Sequence, residues 1–376
     1  MNVFYVGPYR QGDGWGYASK SYLECLSRTN NEIVARPIYF SNNIDNHIPD
    51  HLKQLETKFL SDTPDVLIQY CLPTYFEAHN CINIGRCVTE TRNLNKNIWI
   101  DHMNILDALW VNSEAEAESL RDSGVTTKMI VIPEAIDFDE LEEYKDVELV
   151  DIPELKDHYV FYIIADYGDR KNIFSAIHAF NREFDFEDQV QLVIKTSYRG
   201  RTDQQAMQQI VENVKNYKIN TRLHFNKQLY LPEIITINRL TRKELLSLHQ
   251  TADCLIIPSY GESFCRPALD ALYYNNDIIC TGKIFTESIL KDNAYYVESI
   301  EQPVHTSEPP VPGIYTSWET WQEPSIIDMQ KQMRLAYQNQ NENVVASTTS
   351  KRDFVKNNFS FDSVGKLMEK ALNEYN

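Results

Sequence analysis

Short apolar runs alternate with segments of helical spacing along the whole chain. Residues 254–257 form a continuous apolar run, which is typical of a strand buried on both faces, and residues 3–6 and 66–70 show a similar pattern. After the run at 254–257, apolar positions recur with helical spacing at 267–275, where Pro267 is tolerated in the first turn of a helix. This alternation predicts an α/β protein built on parallel sheets.

The same pattern divides the chain into two halves. An acidic, turn-prone stretch at 137–157 predicts a linker, so we expect an N-terminal domain at 1–150 and a C-terminal domain at 151–376. The N-terminal half contains predicted strands at 3–6, 33–35, 66–70, 86–89, 107–112 and 129–133, with helices at 17–26 and 114–123. The C-terminal half contains predicted strands at 159–165, 190–195, 233–237, 254–257 and 278–280, with helices at 172–184, 203–216, 241–250, 267–275, 326–340 and 361–374. Ser360 is a candidate N-cap for the last helix, and a proline-rich stretch at 303–312 predicts a loop.

Length, charge and cysteine usage narrow the protein class. A chain of 376 residues has room for about two domains. Its formal net charge of −18 argues against a sequence-independent nucleic-acid binder, which needs a basic surface. Seven cysteines without a C-x-x-C pair indicate a reducing compartment rather than a disulfide framework. With no signal-peptide pattern and no run of about 20 apolar residues, we expect a cytoplasmic protein.

A glycine-rich loop joins the first predicted strand to the first predicted helix. Gly12, Gly14 and Gly16, with Trp15 between the last two, allow backbone N–H groups to approach an anion at a helix N-terminus. The spacing is not G-x-G-x-x-G, and a plain tight turn is the alternative.

Two cations open the helix that follows the strand at 159–165. Arg170 and Lys171 are unfavourable for the helix dipole at that position, which is explained if they face a phosphate. The alternative is a pair of solvated surface charges.

Two acids, eight residues apart, follow the apolar strand at 254–257. Glu262 and Asp270 lie near the carboxyl end of that strand, where α/β sheets bind ligands, and carboxylates accept hydrogen bonds from sugar or ribose hydroxyls. For Asp270 the alternative is a surface acid favoured by a helix dipole. Cys265 lacks an evident histidine partner and is not expected to be a nucleophile. Asp137 and Asp139 form a D-x-D pattern, but its place at the edge of the predicted linker argues against a metal site, and no metal or cofactor is expected.

Taken in order, these motifs resemble the retaining glycosyltransferases of the GT-B fold, the "glycosyl transferases group 1" family. The segment 258–272 is similar to the family's E-x7-E signature, with Asp270 in place of the second Glu. The segment 161–172 is similar to its phosphate-binding strand and loop, and 107–137 to the end of its N-terminal domain. The segment 318–324 resembles a Trp-x-x-Pro element of one subgroup.

The resemblance implies a fold and an activity. It implies two Rossmann-like parallel-sheet domains facing across a cleft, with the last helix returning to the N-terminal domain. It also implies transfer of a sugar from a nucleotide-diphospho-sugar to a hydroxyl acceptor, with retention of configuration and without a metal. The acceptor is not indicated: a glycan, a lipid-linked sugar, a protein, a metabolite and a modified nucleotide all stay open.

The resemblance also implies roles for individual residues. Glu262 would hold hydroxyls of the donor sugar, Asp270 the ribose, and Lys171 with Arg170 the leaving diphosphate. The turn Ser263, Phe264 and Cys265 would present amides to the donor. From the other domain, Gly14, Trp15 and Gly16 would close over the diphosphate, and Glu90 occupies the loop where the family often has a histidine. Independently of the resemblance, Asn238 and Arg239 lie just past the end of a predicted strand and are candidates for the border of the base pocket.

Departures from the family keep other functions open. Ala165 and Asp166 stand where the family often has Gly-Arg, and Asp270 is one methylene shorter than Glu. The alternatives are a non-catalytic nucleotide-sugar or glycan-binding protein and a nucleotide-sugar epimerase. A phosphorylase would require pyridoxal phosphate, and a dinucleotide dehydrogenase would require the missing G-x-G-x-x-G loop.

Overall fold

The chain forms two compact units. The computed structural model describes residues 1–45, 47–59, 63–146, 155, 157–198, 200–223, 232–237, 240–307, 313–340 and 350–375. Unit 1 comprises Met1–Phe138, Val311–Glu319 and Phe354–Asn376, and unit 2 comprises Asp139–Pro310 and Thr320–Asp353. Two helices, α5 (Phe138–Glu143) and α12 (Lys351–Phe359), start in one unit's range and end in the other's.

Unit 1 is built on a six-stranded parallel sheet. Its strands are β1 (Asn2–Gly7), β2 (Glu32–Pro37), β3 (Val66–Tyr70), β4 (Ile82–Arg86), β5 (Ala108–Val111) and β6 (Lys128–Val131), in the order β2-β1-β3-β4-β5-β6. Its helices are α1 (Gly14–Ser27), α2 (Asp50–Thr57), α3 (Trp99–Asn104), α4 (Glu114–Asp122) and α13 (Phe361–Leu372). The last helix packs against α1, where Gly365 lies so close that an added Cβ would stand 3.1 Å from the Cys25 carbonyl oxygen.

Unit 2 is built on a second six-stranded parallel sheet. Its strands are β7 (Tyr159–Asp166), β8 (Val190–Ser197), β9 (Ile234–Thr236), β10 (Cys254–Ile257), β11 (Asp277–Thr281) and β12 (Tyr295–Val297), in the order β12-β11-β10-β7-β8-β9. Its helices are α6 (Ile173–Glu183), α7 (Asp203–Asn220), α8 (Arg242–Thr251), α9 (Arg266–Tyr273), α10 (Phe285–Leu290) and α11 (Ile326–Gln338). An antiparallel hairpin, β13 (Ser299–Pro303) and β14 (Thr320–Pro324), lies outside this sheet.

The predicted α/β class with parallel sheets is confirmed. The strand expected at 86–89 is wrong, because pairing ends at Arg86, whose fully buried guanidinium donates to the Cys87 and Trp110 carbonyls. The hairpin was not predicted, and part of the expected loop at 303–312, residues 308–312, lies outside the described residues. Helix α1 begins three residues early because Asp13 caps it, accepting from the Gly16 amide. No helix in the described ranges is long and apolar enough to span a membrane.

Candidate active site

The loops after β7 and β10 meet at a topological switch point. β8 and β9 extend the sheet on one side of β7, and the chain then returns to place β10 on the other side of β7, so that β7 and β10 are neighbours. Connections that leave such a pair diverge, and the crevice at the carboxyl edge is where α/β sheets bind ligands. The candidate residues Arg170, Lys171 and Glu262 lie on these two loops.

Hydrogen bonds tie the two loops together. The Tyr260 amide donates to the Arg170 carbonyl over 2.8 Å, and the Asn172 side-chain amide donates to the Pro258 carbonyl over 3.0 Å. Asn172 adopts the left-handed conformation (φ 48°) and starts α6, which turns the chain sharply after the two cations. These bonds hold the cations of one loop beside the carboxylate of the other.

Glu262 binds both cations at once. Its Oε1 lies 3.0 Å from an Arg170 guanidinium nitrogen, accepts from Lys171 Nζ, and accepts from Ser259 Oγ over 2.8 Å. Burial acts to raise the pKa of Glu262, whose residue exposure is only 6%, but Arg170 and Lys171 outweigh it and hold the pKa below the ordinary range. Glu262 is therefore an ionised acceptor at neutral pH.

Arg170 and Lys171 keep part of their surface open. Their side chains are 16% and 22% exposed, against 7% for the Glu262 side chain. Arg170 also donates to the Gly261 carbonyl over 2.6 Å, which fixes its orientation. Fixed cations of this kind can stabilise negative charge that develops on a leaving phosphate. The structure brings these three predicted residues together, and their roles in catalysis stay predictions.

The turn at 263–265 connects β10 to α9. Cys265 lies in the left-handed region (φ 66°), immediately before α9, with Pro267 in the first turn. A non-glycine residue there is strained and keeps this conformation only where its surroundings impose it. Burial raises the pKa of the Cys265 thiol to about 12, so the thiol stays protonated. Ser263 and Phe264 are buried in the same turn.

Asp270 belongs to a separate cluster. Both of its oxygens accept from Arg242, over 2.7 and 2.8 Å, and Arg242 Nε donates to Glu140 over 2.9 Å. Burial acts to raise the pKa of Asp270, yet the bidentate Arg242 lowers it to about 2. Asp270 is only 1% exposed, so a ribose hydroxyl would have to share this carboxylate with Arg242. Its ribose role stays a prediction.

A buried histidine lies behind Asp270. Tyr162 accepts from the Asn276 side chain over 3.0 Å and lies 2.6 Å from His249 Nδ1, so we assign its O–H as the donor to Nδ1. The ring proton is then on Nε2, which is 4.0 Å from Asp270. Burial lowers the pKa of His249 to about 4, and the imidazole is neutral at neutral pH.

The glycine-rich loop begins α1 in unit 1. Gly16 is required by packing, because a Cβ there would stand 1.9 Å from the Gln11 carbonyl oxygen, whereas Gly14 is exposed and has nothing within 4 Å of its added Cβ. Trp15 packs on Phe40 and Tyr70, each at a ring distance of 5.8 Å.

Glu90 lies in the loop after β4 of unit 1. Tyr315 donates its hydroxyl to the Glu90 carboxylate. The neighbouring Glu319 is 2% exposed and accepts from Thr91 over 2.6 Å and from Asn97 over 2.9 Å. Segment 313–319 is thus hydrogen-bonded to the loop that carries Glu90, and this contact was not predicted.

The predicted residues Asn238 and Arg239 lie outside the described residues. Ser259, Arg242 and His249 were not predicted, and only Ser259, three residues before Glu262, carried a local signal. Arg242 reaches Asp270 through the packing of α8 on α9, which no spacing along the chain reveals.

No protein-family model matches the chain, and no curated protein does. Solved structures share its fold. Sucrose-phosphate synthase from Thermosynechococcus elongatus is 13% identical, with a TM-score of 0.61 over 99% of this chain and 98% of that one. Trehalose-6-phosphate synthase from E. coli, bound to UDP-2-fluoro glucose, is 10% identical, with a TM-score of 0.64 over 100% and 99%. Anabaena HepE, in complex with UDP and glucose, is 10% identical, with a TM-score of 0.62 over 100% of both chains. The chain has the GT-B fold of these proteins.

Proposed function

We propose that this protein is a glycosyltransferase that moves a sugar from a nucleotide-diphospho-sugar to a hydroxyl acceptor. The observation that carries the proposal is the cluster of Glu262, Arg170 and Lys171 at the switch point of the unit 2 sheet. It supplies cations for a diphosphate and an ionised acceptor for sugar hydroxyls within one small region.

The chemistry we propose is a retaining transfer without a metal. The bond between the anomeric carbon and the diphosphate oxygen breaks, and its electron pair leaves with the diphosphate, whose charge Arg170 and Lys171 stabilise. The acceptor oxygen bonds to the anomeric carbon on the same face, and its proton passes to the departing phosphate oxygen. Glu262 orients the sugar through its hydroxyls. Glu90, held by Tyr315, is the residue of unit 1 that we propose to act on the sugar or acceptor.

The choice of the first donor follows from the related folds. HepE was solved with UDP and glucose, and the E. coli synthase with a fluorinated UDP-glucose. We therefore propose UDP-hexoses as the first donors to test, followed by guanosine, adenosine and thymidine diphospho-sugars.

Calorimetric titration of the full chain with this panel tests the proposal. We expect one donor to bind, and Lys171→Ala to weaken its affinity by about 10–100-fold, because a charge-assisted hydrogen bond contributes about 1.5–3 kcal/mol. Arg182→Ala, which removes a cation from the last turn of α6, should leave the affinity unchanged. Equal affinity of Lys171→Ala and the wild type would contradict the assignment.

A non-catalytic nucleotide-sugar-binding protein is the second candidate. The observation that favours it is Asp270, which is already bound on both oxygens by Arg242. Release of nucleoside diphosphate from the bound donor in an acceptor screen separates the two. A binding protein would retain the donor unchanged, whereas a transferase would release diphosphate at a rate that falls in Glu262→Ala.

A further inference from the structure

A groove on one face of the unit 1 sheet contains none of the residues assigned to the donor, although its wall residue Phe40 packs on Trp15 at a ring distance of 5.8 Å. It has a volume of about 900 Å³, and its floor includes Phe4 and Val6 of β1 and Leu67 and Gln69 of β3. Small-molecule sites have volumes of about 300–1,000 Å³ and are mainly apolar, so the groove has the size and lining of a ligand site.

The pattern of burial along β1 shows that this face is open. β1 lies between β2 and β3 in the sheet, yet its residues alternate, with Val3 and Tyr5 fully buried and Phe4 and Val6 only partly buried. By contrast, the first five residues of β7, which is also an interior strand, are all buried. Among the described residues, therefore, no helix seals the groove face of β1.

Aromatic side chains form the walls of the groove. Tyr39, Phe40 and Tyr75 line it and are 51%, 42% and 62% exposed. Large aromatic rings left in water beside an apolar floor are unfavourable, and a ligand that covers them gains the corresponding burial.

The charges at the rim restrict the ligand. Within the described residues that line the groove there is no lysine or arginine, and the ionisable side chains at the rim are Glu77 and His79, whose Oε2 and Nε2 lie 3.5 Å apart. Gln69 is occupied, because its side chain exchanges hydrogen bonds of 2.7 and 3.0 Å with the Glu77 backbone. A phosphate or sulfonate would therefore meet the Glu77 carboxylate with no lysine or arginine among the described lining residues to balance its charge.

We propose that this groove binds an uncharged, mainly apolar small molecule with a fused or linked ring system and a hydrogen-bond donor directed at Glu77. The rings would pack between the aromatic walls on the apolar floor, and the O–H or N–H donor would reach the carboxylate at the rim. The site goes beyond the function proposed above and does not depend on it.

A matched pair of fluorescent probes tests both the site and its charge preference. N-phenylnaphthylamine is neutral and carries an N–H, and anilinonaphthalene sulfonate adds a sulfonate to the same rings. In titrations of the full chain near neutral pH, we expect saturable one-to-one binding of the neutral probe, at least ~10-fold tighter than that of the sulfonate. A lack of saturation, or equal affinity for the two probes, would overturn the proposal.

Two variants locate the binding. Val6→Trp fills the floor of the groove and should lower the affinity for the neutral probe at least ~10-fold. Tyr75→Ala, at an exposed wall position, should fold normally and lower this affinity by about 3–10-fold. Phe186→Ser removes an aromatic ring of unit 2 that is 56% exposed and should leave binding unchanged. Unchanged affinity in both groove variants would show that the probe binds elsewhere and would contradict the proposal. Titration of Val6→Trp with a donor sugar reports separately on the proposed function, because that affinity should not change.

Discussion

Glu262 and Asp270 are eight residues apart in the sequence, and their carboxylates are bound by different partners. Glu262 is held by two cations from a loop, and both cations keep 16–22% of their side-chain surface exposed. Asp270 is held by one bidentate arginine from α8, with a fully buried histidine behind it. Arg242 is itself 18% exposed, so the two regions differ in the carboxylate rather than in the cations: the Glu262 side chain is 7% exposed and the Asp270 side chain 1%.

The comparison teaches that two acids of one sequence signature can have different tasks. Near Glu262, which is itself buried, the partly exposed members are the two cations, and water can hydrate them once the carboxylate is neutralised. A buried pair contributes little when intact but costs much when one partner is removed. We therefore expect changes near Glu262 to affect donor binding and changes near Asp270 to affect folding.

Removal of Arg242 should have the largest effect on stability. Arg242→Ala leaves the Asp270 carboxylate buried without its bidentate partner, and we expect the free energy of unfolding to fall by about 3–5 kcal/mol. Urea denaturation measures it, with Arg182→Ala as the control. Replacement of both partners by leucine should regain most of the loss, and a loss below about 1 kcal/mol in Arg242→Ala would show that water can solvate the Asp270 carboxylate.

The histidine behind Asp270 should make stability depend on pH. The pKa of His249 is 6.5 when exposed and is lowered by burial to about 4, so the unfolded chain binds the proton that the folded protein resists. The contribution of His249 to the free energy of unfolding is then fully present above about pH 6.5. It falls by about 3 kcal/mol as the pH drops towards 4. The pKa of Asp270, lowered from 3.8 to about 2, adds a second loss below 3.8.

Urea denaturation at about pH 7 and about pH 4 measures this dependence. His249→Phe keeps a ring of similar size and should lose less stability between the two pH values than the wild type. An equal pH dependence of the two proteins would mean that other groups dominate the acid response.

Neutralising Glu262 should have a smaller effect on stability. Glu262→Gln keeps the shape and a carbonyl oxygen near Ser259, and the two released cations can be hydrated, so we expect a loss of about 1 kcal/mol. Donor affinity should fall by about 10-fold, because a neutral amide is a weaker acceptor than a carboxylate. Calorimetry and denaturation on one preparation separate the two effects, and a stability loss above about 3 kcal/mol would remove the contrast with Asp270.

Cys265 links the two regions and should show the smallest effect. Cys265→Gly relieves the left-handed strain and should change stability by less than about 1 kcal/mol. Cys265→Val is expected to lose about 2 kcal/mol, because a β-branched residue disfavours φ near 66°. Thermal melts of both variants measure this difference. Equal melting temperatures would show that the turn relaxes without strain.

The sequence was most informative where local patterns match the final structure. The strand β10 has the predicted bounds because four apolar residues, 254–257, are buried on both faces. Ser360 caps the last helix as expected, accepting from the Ser363 amide. In β4 the pattern misled, because Asn83, Gly85 and Arg86 interrupt the apolar run and are buried through contacts that are remote in sequence.

The candidate site shows the same limit. Glu262, Arg170 and Lys171 follow strands that proved to be neighbours, so a rule about carboxyl ends of strands was sufficient to group them. Nothing near Asp270 indicated that Arg242 binds it from another helix, or that His249 and Tyr162 lie behind it. Tyr315 and Glu90 are separated by more than two hundred residues, and their contact likewise depends on tertiary structure.

The packing of α13 on α1 has a consequence for biosynthesis. The face of α1 that carries Cys25 is completed by residues near the end of the chain, so unit 1 remains unfinished while all of unit 2 is translated. At about 5–20 residues per second, the ribosome needs roughly 10–40 s for that interval. During this time the nascent N-terminal segment exposes an apolar helix face, which is the kind of surface that chaperones bind.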